Sequence, residues 1–188
     1  LCHVYVDKEA NLEIAKNVIL NSKLRRPEIC GAAETLLIDA ALKDKVLELI
    51  QPIYKAGCTI KGDDFIRSLN NNFEKAKDED WSTEYLAPVL SVKIVGGIEE
   101  AIEHINSFGS SHTDSIVTEN NEKVAIFFDQ VDSSSVMHNL PTCWADGFEY
   151  GLGAEVGIST DKIHARGPVG LGQLISYKYE IIGNGQTR

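Results

Sequence analysis

Residues 25–39, "RRPEICGAAETLLID", join the end of one predicted element to the start of the next. Pro27 lacks a backbone N–H and therefore ends the helix that precedes it. Residues 35–38 form a short apolar run, which is typical of a buried strand. Between the two lies Cys30, followed by Gly-Ala-Ala, on what we predict to be a turn. This thiol is either a small buried hydrophobic group or a nucleophile presented on the turn.

The alternation of helix and strand continues on both sides of this turn. Upstream, "CHVYV" at 2–6 alternates like a strand, and apolar residues in 11–23 recur at three- and four-residue spacing, as in a helix. Downstream, we predict helices over 40–55, near Phe65, over 98–106 and over 122–131, and strands over 58–61, 90–95, 113–118 and 135–138. Strands that alternate with helices predict an α/β layer structure with a largely parallel sheet.

Three segments do not fit that alternation. Residues 70–81, "NNNFEKAKDEDW", are polar and charged, and we expect a solvated connector there. The stretch 147–172 is rich in glycine, but "GLGAEVG" is no dinucleotide fingerprint, because no strand precedes it and no periodic helix follows. We expect these glycines to serve packing or a substrate loop. The terminal "LISYKYEII", residues 174–182, alternates and is β-prone, as in an extended arm.

The composition limits the class of protein. With 188 residues, 43% of them hydrophobic, the chain can bury the core of one domain, with room for an appendage. A formal net charge of −10 argues against nucleic acid or an anionic membrane as the main partner. No run reaches the roughly 18 apolar residues of a membrane helix. We find no signal peptide and no Cys-x-x-Cys pair, and expect a cytoplasmic protein whose four cysteines are reduced.

Several stretches resemble the aldehyde dehydrogenase superfamily and, within it, the gamma-glutamyl phosphate reductase family. They are, in family order, "CHVYVD", "RPEICGAAETLLID", "TEYLAPVLSVKIV", "AIEHINSFGSSHTDSIVT" and "FEYGLGAEVGISTDKIHARGPVGL", and they cover nearly the whole chain. The stretch "GLGAEVGISTDKIHARGP" is highly specific to this family. The resemblance implies an NADPH-dependent oxidoreductase of proline biosynthesis that converts gamma-glutamyl phosphate to glutamate-5-semialdehyde.

The resemblance also implies a fold, that of an aldehyde-dehydrogenase-like catalytic domain with three layers and a mostly parallel sheet. It assigns residues 1–148 to the catalytic, thiol-bearing domain, 149–172 to a glycine-rich return and substrate-loop segment, and 173–188 to a β-strand oligomerisation arm. Only the second half of the family is matched, so we expect the N-terminal cofactor domain to be absent. That expectation accounts for a chain that begins inside a strand.

Within this resemblance, Cys30 matches the family's nucleophile. The implied chemistry is attack of the thiolate on the acyl phosphate carbonyl, loss of phosphate to give a thioester, and reduction by hydride from NADPH. Backbone N–H groups around Cys30 and Gly31 would donate to the developing oxyanion. Residue type alone favours a buried structural thiol, since lone cysteines are usually small buried hydrophobic groups. The resemblance reverses that preference.

The other site residues also come from the resemblance. Glu84, in "TEYLAP", matches the glutamate that hydrogen-bonds the nicotinamide ribose; without the family we would read a surface glutamate. Arg166 is suited to pairing with a carboxylate or phosphate, whereas His164 is equally well a structural histidine. The implied substrate-binding residues are Gly31, Asn139, Thr142, Ser159, Thr160, His164 and Arg166. No metal ligand set is predicted, and His3, His104 and His112 occupy ordinary strand or helix positions.

Two departures from the family pattern weaken the expectation of normal catalysis. Gly31 replaces an asparagine after the nucleophile, and in "HNLPTCWADG" Pro141 replaces a serine and Cys143 an arginine. Losing an anion-binding arginine matters because a cysteine cannot reproduce the charge and the bidentate contact of a guanidinium. Because the cofactor domain is absent from the matched half and Glu84 would supply only one ribose contact, we also expect NADPH not to bind this chain alone. Two interpretations remain: the catalytic half of a reductase, or a non-enzymatic remnant that folds and oligomerises. A cofactor-free cysteine hydrolase is weaker, since no base is evident.

The expected partners follow from the same resemblance. The small-molecule substrate is gamma-glutamyl phosphate, and the arm implies a homo-oligomer of at least two chains. A separately encoded N-terminal half is a further candidate partner. Neither nucleic acid nor a membrane is expected.

Overall fold

The computed structural model describes residues 1–188. Its strands are β1 Cys2–Val6, β2 Ala33–Asp39, β3 Thr59–Gly62, β4 Glu74–Lys75, β5 Val89–Val95, β6 Thr113–Val117, β7 Ser135–His138, β8 Gly157–Ser159 and β9 Gly167–Val169. Its α-helices are α1 Leu12–Leu24, α2 Val46–Lys55, α3 Asp64–Leu69, α4 Ile98–Phe108 and α5 Asn121–Gln130. Four 3₁₀ turns span Ala40–Lys45, Asp78–Ser82, Thr142–Trp144 and Leu171–Gln173. None of the helices has the length and apolar character needed to cross a membrane.

Local chemistry sets where the helices begin and end. The side chain of Asn11 accepts from the amides of Glu13 and Ile14 and so caps α1, and Asn120 caps α5 in the same way. α1 ends at Leu24, before Pro27, as predicted. After α2, Gly57 has φ of 95°, a left-handed conformation that costs glycine nothing and ends the helix.

Seven strands form one parallel sheet in the order β4-β3-β5-β2-β1-β6-β7. Because side chains alternate along a strand, Val4 and Val6 of β1 face one side while Tyr5 faces the other. The first side packs against α1 and α2, and the second against α4 and α5. This confirms the predicted three-layer α/β fold with a largely parallel sheet.

The structure corrects several predicted element boundaries. The predicted helix 40–55 is a 3₁₀ turn over Ala40–Lys45 followed by α2. The predicted solvated connector 70–81 contains the edge strand β4 and a 3₁₀ turn, and it buries Phe73 and Asp80. Lys61 pairs with Asp80 at 2.8 Å, which fixes this segment to β3. Short charged edge strands carry little apolar signal, so their sequence resembles a loop.

The parallel arrangement gives the sheet two distinct edges at which loops and helices join the strands. Since all seven strands run the same way, their first residues share one edge, here called the amino edge, and their last residues share the opposite, carboxyl edge. β8 and β9 form a separate antiparallel hairpin. Residues 174–182 pair with no strand in this chain and are exposed. The predicted β-arm therefore has no strand partner within one chain.

Candidate active site

Cys30 lies on the turn that leads into β2, at the amino edge of the sheet. The turn is closed by two backbone hydrogen bonds, from the amide of Ile29 to the carbonyl of Arg26 at 3.4 Å and from Ala32 to Ile29 at 3.0 Å. Cys30 is exposed, while Gly31 and Ala32 are buried as the chain enters the sheet. In this chain the thiol is therefore presented on the turn and is not buried, and its role as a nucleophile stays a prediction.

Two donors from other segments hold the carbonyl groups of this turn. The Cys2 thiol, at the start of β1, donates to the carbonyl of Cys30 at 3.3 Å. The hydroxyl of Thr142 donates to the carbonyl of Gly31 at 2.7 Å. Thr142 is itself anchored, since its amide donates to the Ser22 hydroxyl of α1 at 3.1 Å. The turn is thus tied to β1, to α1 and to the 3₁₀ turn at Thr142.

Charges and amides around the thiol act in opposite directions. Partial burial of the sulfur raises the pKa of Cys30, and the negative charges of Glu155 and, more weakly, Glu84 raise it further. The amides of Cys30 and Gly31 face the sulfur and lower the pKa without reversing the shift. These two amides donate to no oxygen of the chain. They are therefore free to donate to a thiolate or to an oxyanion formed at this point.

The other three cysteines are buried, and no disulfide links any of the four. Burial raises the pKa of Cys2 and Cys143, and it raises that of Cys58 to about 12. Cys143 directs its sulfur at Asn21, 3.2 Å from Oδ1. A buried, protonated thiol is a poor nucleophile, so Cys30 is the thiol best placed to react.

Glu84 lies at the same edge of the sheet as Cys30. β2 and β5 are neighbours, Cys30 precedes β2 and Glu84 precedes β5. The next residue is anchored: the Tyr85 hydroxyl donates to Asp80 at 2.8 Å and lies 2.7 Å from the Ser91 hydroxyl. Glu84 itself is exposed. The structure therefore brings Glu84 close enough to Cys30 for its charge to act on the thiol.

The hairpin β8–β9 and its loop carry four of the predicted substrate-binding residues. Ser159 pairs with Gly167 across the hairpin, Thr160 follows it, and His164 is exposed on the loop. Arg166 donates to the backbone carbonyl of Asp132 and to its Oδ1, both at 3.0 Å. Together with Lys162, it lowers the pKa of Asp132. No hydrogen bond or ion pair joins this loop to the Cys30 turn, and Arg166 is occupied by a carboxylate of the chain itself.

The remaining predicted substrate residues divide into two groups. Gly31 and Thr142 lie at the Cys30 turn, but Thr142 is fully buried and its hydroxyl is committed to Gly31. Asn139 follows β7 at the carboxyl edge, where it accepts from the amide of Thr118 at 3.1 Å and donates to Glu119 at 3.3 Å. Because Cys30 precedes β2, Asn139 and Cys30 lie at opposite edges of the sheet.

The larger clefts of the chain lie away from Cys30. One of about 420 Å³ runs between α1 and residues 139–141, and one of about 370 Å³ lies at the carboxyl edge between Lys8, Asp39 and Lys123. No group of three or more His, Cys, Asp or Glu side chains is placed to hold a metal ion. The Cys30 turn therefore forms an open face rather than a closed substrate pocket within this chain.

Two contributors to this site were not found from the sequence. Glu155 lies in "GLGAEVG", which drew attention for its glycines, and its carboxylate accepts from the amide of Gly147 at 2.6 Å. The only sequence feature that marks Glu155 is that it is the single charged residue in this glycine-rich stretch. Cys2 was assigned only to a strand, and nothing in sequence spacing places it beneath Cys30, 28 residues away.

Comparison with known proteins gives consistent matches. A model of the aldehyde dehydrogenase family matches residues 73–151. The chain is 53% identical over 186 residues to a gamma-glutamyl phosphate reductase of Bradyrhizobium sp. (strain BTAi1), covering 99% of this chain and 43% of that protein. It is 51% identical over 188 residues to a gamma-glutamyl phosphate reductase of Bartonella bacilliformis, covering 100% and 46%.

A solved structure agrees with these matches. The crystal structure of a gamma-glutamyl phosphate reductase from Thermotoga maritima matches with a TM-score of 0.93 and 39% identity, covering 100% of this chain and 45% of that one. The chain therefore spans less than half the length of these relatives and corresponds to their C-terminal half.

Proposed function

We propose, on the premise that the chain belongs to the aldehyde dehydrogenase family, that it is the thiol-bearing catalytic half of a gamma-glutamyl phosphate reductase. The observation that carries this proposal is the turn at Cys30, where one exposed thiol and two unpaired amides meet. The product would be glutamate-5-semialdehyde, an intermediate of proline biosynthesis. Four unpaired thiols suit the reducing cytoplasm, where we place this chemistry.

The chemistry follows from the groups on the turn. The Cys30 thiolate attacks the carbonyl carbon of the acyl phosphate, a C–S bond forms, and the C–O bond to phosphate breaks with its electron pair on the leaving phosphate. The amides of Cys30 and Gly31 donate to the oxyanion that develops on the carbonyl oxygen. Phosphate is a good leaving group, so no acid is required from the chain. The result is a thioester on Cys30.

A nicotinamide cofactor, NADPH in this proposal, supplies when bound the hydride that reduces the thioester. Glu84 is the residue of this chain suited to it, because an exposed carboxylate accepts from both ribose hydroxyls and lies on the side of the thiol. β5, Gly96-Gly97 and α4 follow one another, but they lack the G-x-G-x-x-G spacing that binds pyrophosphate, and Glu99 and Glu100 place negative charge in the first turn of the helix. We infer that this chain alone does not hold the cofactor.

Two partners complete the proposal. A separate N-terminal half would cover the open face at Cys30 and hold the nucleotide, since this chain spans only 43% of its Bradyrhizobium relative. A second copy would pair with residues 174–182, whose apolar side chains are exposed. Ser159, Thr160, His164 and Arg166 form the loop that we propose to face gamma-glutamyl phosphate in that assembly. Thr142 supports the Cys30 turn, whereas Asn139 supports the backbone of Thr118 at the carboxyl edge.

The alternative is a non-enzymatic remnant that folds and oligomerises without turnover. Cys143, which stands where the resembled family has an arginine, is buried and directs its sulfur at Asn21. An anion-binding guanidinium is thereby missing from the segment next to the Cys30 turn. This alternative differs measurably from the reductase, because it predicts acylation of Cys30 without any reductase activity.

The test is acylation of the full chain by gamma-glutamyl phosphate, with acetyl phosphate as a stable probe, followed by intact-mass spectrometry and peptide mapping. We expect one acyl group on Cys30, released by hydroxylamine, in the wild type and in Cys143→Ser but not in Cys30→Ser. Acylation that persists in Cys30→Ser would overturn the proposal.

A second measurement separates enzyme from remnant. The chain is mixed with the N-terminal half of the Bradyrhizobium reductase, and NADPH oxidation is followed with gamma-glutamyl phosphate. Turnover that requires both halves and Cys30 supports the reductase. Acylation without turnover in the assembled mixture supports the remnant.

A further inference from the structure

The Cys30 turn has an arrangement of peptide groups that explains why its amides are free. In a trans peptide the C=O and N–H groups point in opposite directions. The peptide between Cys30 and Gly31 directs its carbonyl inward to the Cys2 thiol, 3.3 Å away, so the amide of Gly31 points outward. The orientation of that amide therefore depends on what holds the carbonyl.

The next peptide is held more firmly. Its carbonyl, that of Gly31, accepts from the Thr142 hydroxyl at 2.7 Å, and its amide, that of Ala32, donates to Ile29 at 3.0 Å. Both ends of this peptide are thus engaged. A hydroxyl is a stronger donor than a thiol, and the Cys2 sulfur also lies 3.5 Å from Nδ1 of His112, a second polar partner.

Thr142 is placed to hold the Gly31 carbonyl and is too deeply buried to contact a substrate. It is fully buried, and its amide is fixed to Ser22 of α1 at 3.1 Å. The backbone around it packs on Gly31: a Cβ at Gly31 would lie 3.4 Å from the Thr142 carbonyl oxygen and 3.5 Å from Cα of Cys143. The hydroxyl is therefore delivered to the turn by α1 and by the 3₁₀ turn together.

We propose that Thr142 is a positioning residue: its hydroxyl holds the Gly31 carbonyl, and the Ala32 amide of the same peptide holds the Ile29 carbonyl, so that the amide of Cys30 stays directed at the Cys30 sulfur. Cys2 gives the same support to the preceding peptide, and thus to the amide of Gly31. The consequence for the reaction rests on the proposed function, since the same two amides would meet the oxyanion. The support of the thiolate itself does not rest on it.

The test measures the rate at which Cys30 of the full chain reacts with iodoacetamide as a function of pH. Thr142→Val removes the hydroxyl at nearly constant shape, and Thr142→Ser keeps it. We expect Thr142→Val to slow Cys30 at neutral pH by about five- to tenfold and to move the pH profile upward, since one hydrogen bond of this kind changes an equilibrium by about that factor. Thr142→Ser should restore the wild-type profile, which a role in packing alone would not do.

A matched control is available in the same chain. Thr35 of β2 is also fully buried, but its hydroxyl has no hydrogen-bond partner. Thr35→Val should leave the Cys30 profile unchanged. A folded Thr142→Val protein with the wild-type profile, or a Thr142→Ser protein slowed as much as Thr142→Val, would overturn the proposal.

Folding of each variant is checked by circular dichroism. If Thr142→Val does not fold, Cys2→Val and Cys2→Ser decide the matter, because they remove and keep the second donor. Cys2→Val must then slow Cys30 and Cys2→Ser must not, and an unchanged rate in Cys2→Val overturns the proposal. The readout is thiol reactivity, so absence of reductase turnover would leave this result unaffected.

Discussion

At the scale of single residues, Cys30 is an exposed thiol with two carboxylates beside it. Glu155 has the larger effect of the two, and its negative charge disfavours the thiolate. Negative charge beside a nucleophile keeps it protonated until a substrate or a partner changes the surroundings. The thiol is therefore accessible but not fully activated in this chain.

We expect limiting iodoacetamide to label Cys30 before Cys2, Cys58 or Cys143, because those three are buried. Glu155→Gln should speed this labelling by about two- to fivefold near pH 8, since removal of this negative charge lowers the pKa of the Cys30 thiol and so raises its thiolate fraction. Glutamine still accepts from the Gly147 amide. Peptide mapping by mass spectrometry follows both effects.

Glu149→Gln is the matched control for this substitution. Glu149 raises the pKa of Cys143, and its charge is not among the main influences on Cys30. Labelling of Cys30 should therefore be unchanged. Preferential labelling of Cys58 or Cys143, or an unaltered rate in Glu155→Gln, would contradict the description of the thiol.

Two buried histidines make the stability of the chain sensitive to acid. Burial lowers the pKa of His104 to about 3, with the neighbouring His3 and Lys93 adding to the effect, and lowers that of His112 to about 4. Unfolded histidine titrates near 6.5, so the unfolded state binds more protons at mildly acid pH. Stability is therefore fully present above about pH 6.5 and falls as the pH is lowered.

We expect each of these histidines to cost about 2 kcal/mol of unfolding free energy between pH 7 and pH 5. His104→Phe should remove the part of this pH-dependent loss that is due to His104. A phenyl ring can pack against Trp81 and Phe108 in the same way and carries no titratable group. Urea unfolding at the two pH values measures the difference. The exposed residue His164 provides the control, and a His104→Phe protein that loses as much stability as the wild type would refute the assignment.

The sequence brings together those predicted site residues whose location depends on chain position, and their roles stay predictions. Cys30 and Glu84 precede neighbouring strands, and parallel strands begin at a common edge, so residues in those positions meet. Thr142 and Glu155 depend instead on how a loop folds back over the sheet. That path is set by contacts such as Thr142 with Ser22, 120 residues apart, which no local pattern reports.

At the scale of elements, α1 and β2 are joined by an ion pair inside the core. Lys23 and Glu34 are 2.5 Å apart, and neither side chain is exposed. Burial raises the pKa of Glu34 despite its partner. Such pairs cost much desolvation, so removing one member leaves an uncompensated polar group in the core.

We expect Lys23→Met to destabilise the chain by about 3–5 kcal/mol, and the double variant Lys23→Met with Glu34→Leu to regain most of that loss. Lys16→Met removes the partner of the exposed Glu13 and should leave the stability nearly unchanged. Urea denaturation provides all of these values. A double variant as unstable as Lys23→Met would show that the pair itself stabilises the fold.

The predictability of the elements followed the strength of their apolar patterns. β1 and β7 were predicted at their observed bounds, and the other long strands and helices except α2 to within two residues, because buried parallel strands carry strong apolar runs. α2 begins six residues later than predicted. Residues 40–45 continue the helical pattern into a 3₁₀ turn, which shares its spacing. β4 consists of Glu74 and Lys75, and a two-residue charged strand has no period to detect.

At the scale of the whole molecule, cofactor binding depends on whether this chain supplies the groups that bind the ribose and the pyrophosphate. We expect calorimetry to detect no micromolar binding of NADPH to the isolated chain, because Glu84 provides one ribose contact and the pyrophosphate needs a helix N-terminus within a G-x-G-x-x-G turn, a pattern that the sequence lacks. Addition of the N-terminal half of a relative should restore binding, and Glu84→Gln in that mixture should weaken it. Micromolar binding to the isolated chain would contradict the prediction.

The arm, residues 174–182, has no strand partner within one chain. Six apolar side chains of residues 174–182 are between 58% and 98% exposed: Leu174, Ile175, Tyr177, Tyr179, Ile181 and Ile182. An unpaired β-prone segment of this kind pairs with another strand, and a two-fold contact between copies satisfies both arms at once. We expect light scattering to give a dimer or larger assembly, and deletion of 173–188 to give a monomer. Deletion of 183–188 alone keeps the apolar segment and should keep the assembly. A monomer before and after the longer deletion would refute the pairing, since the arm would then have no role in association.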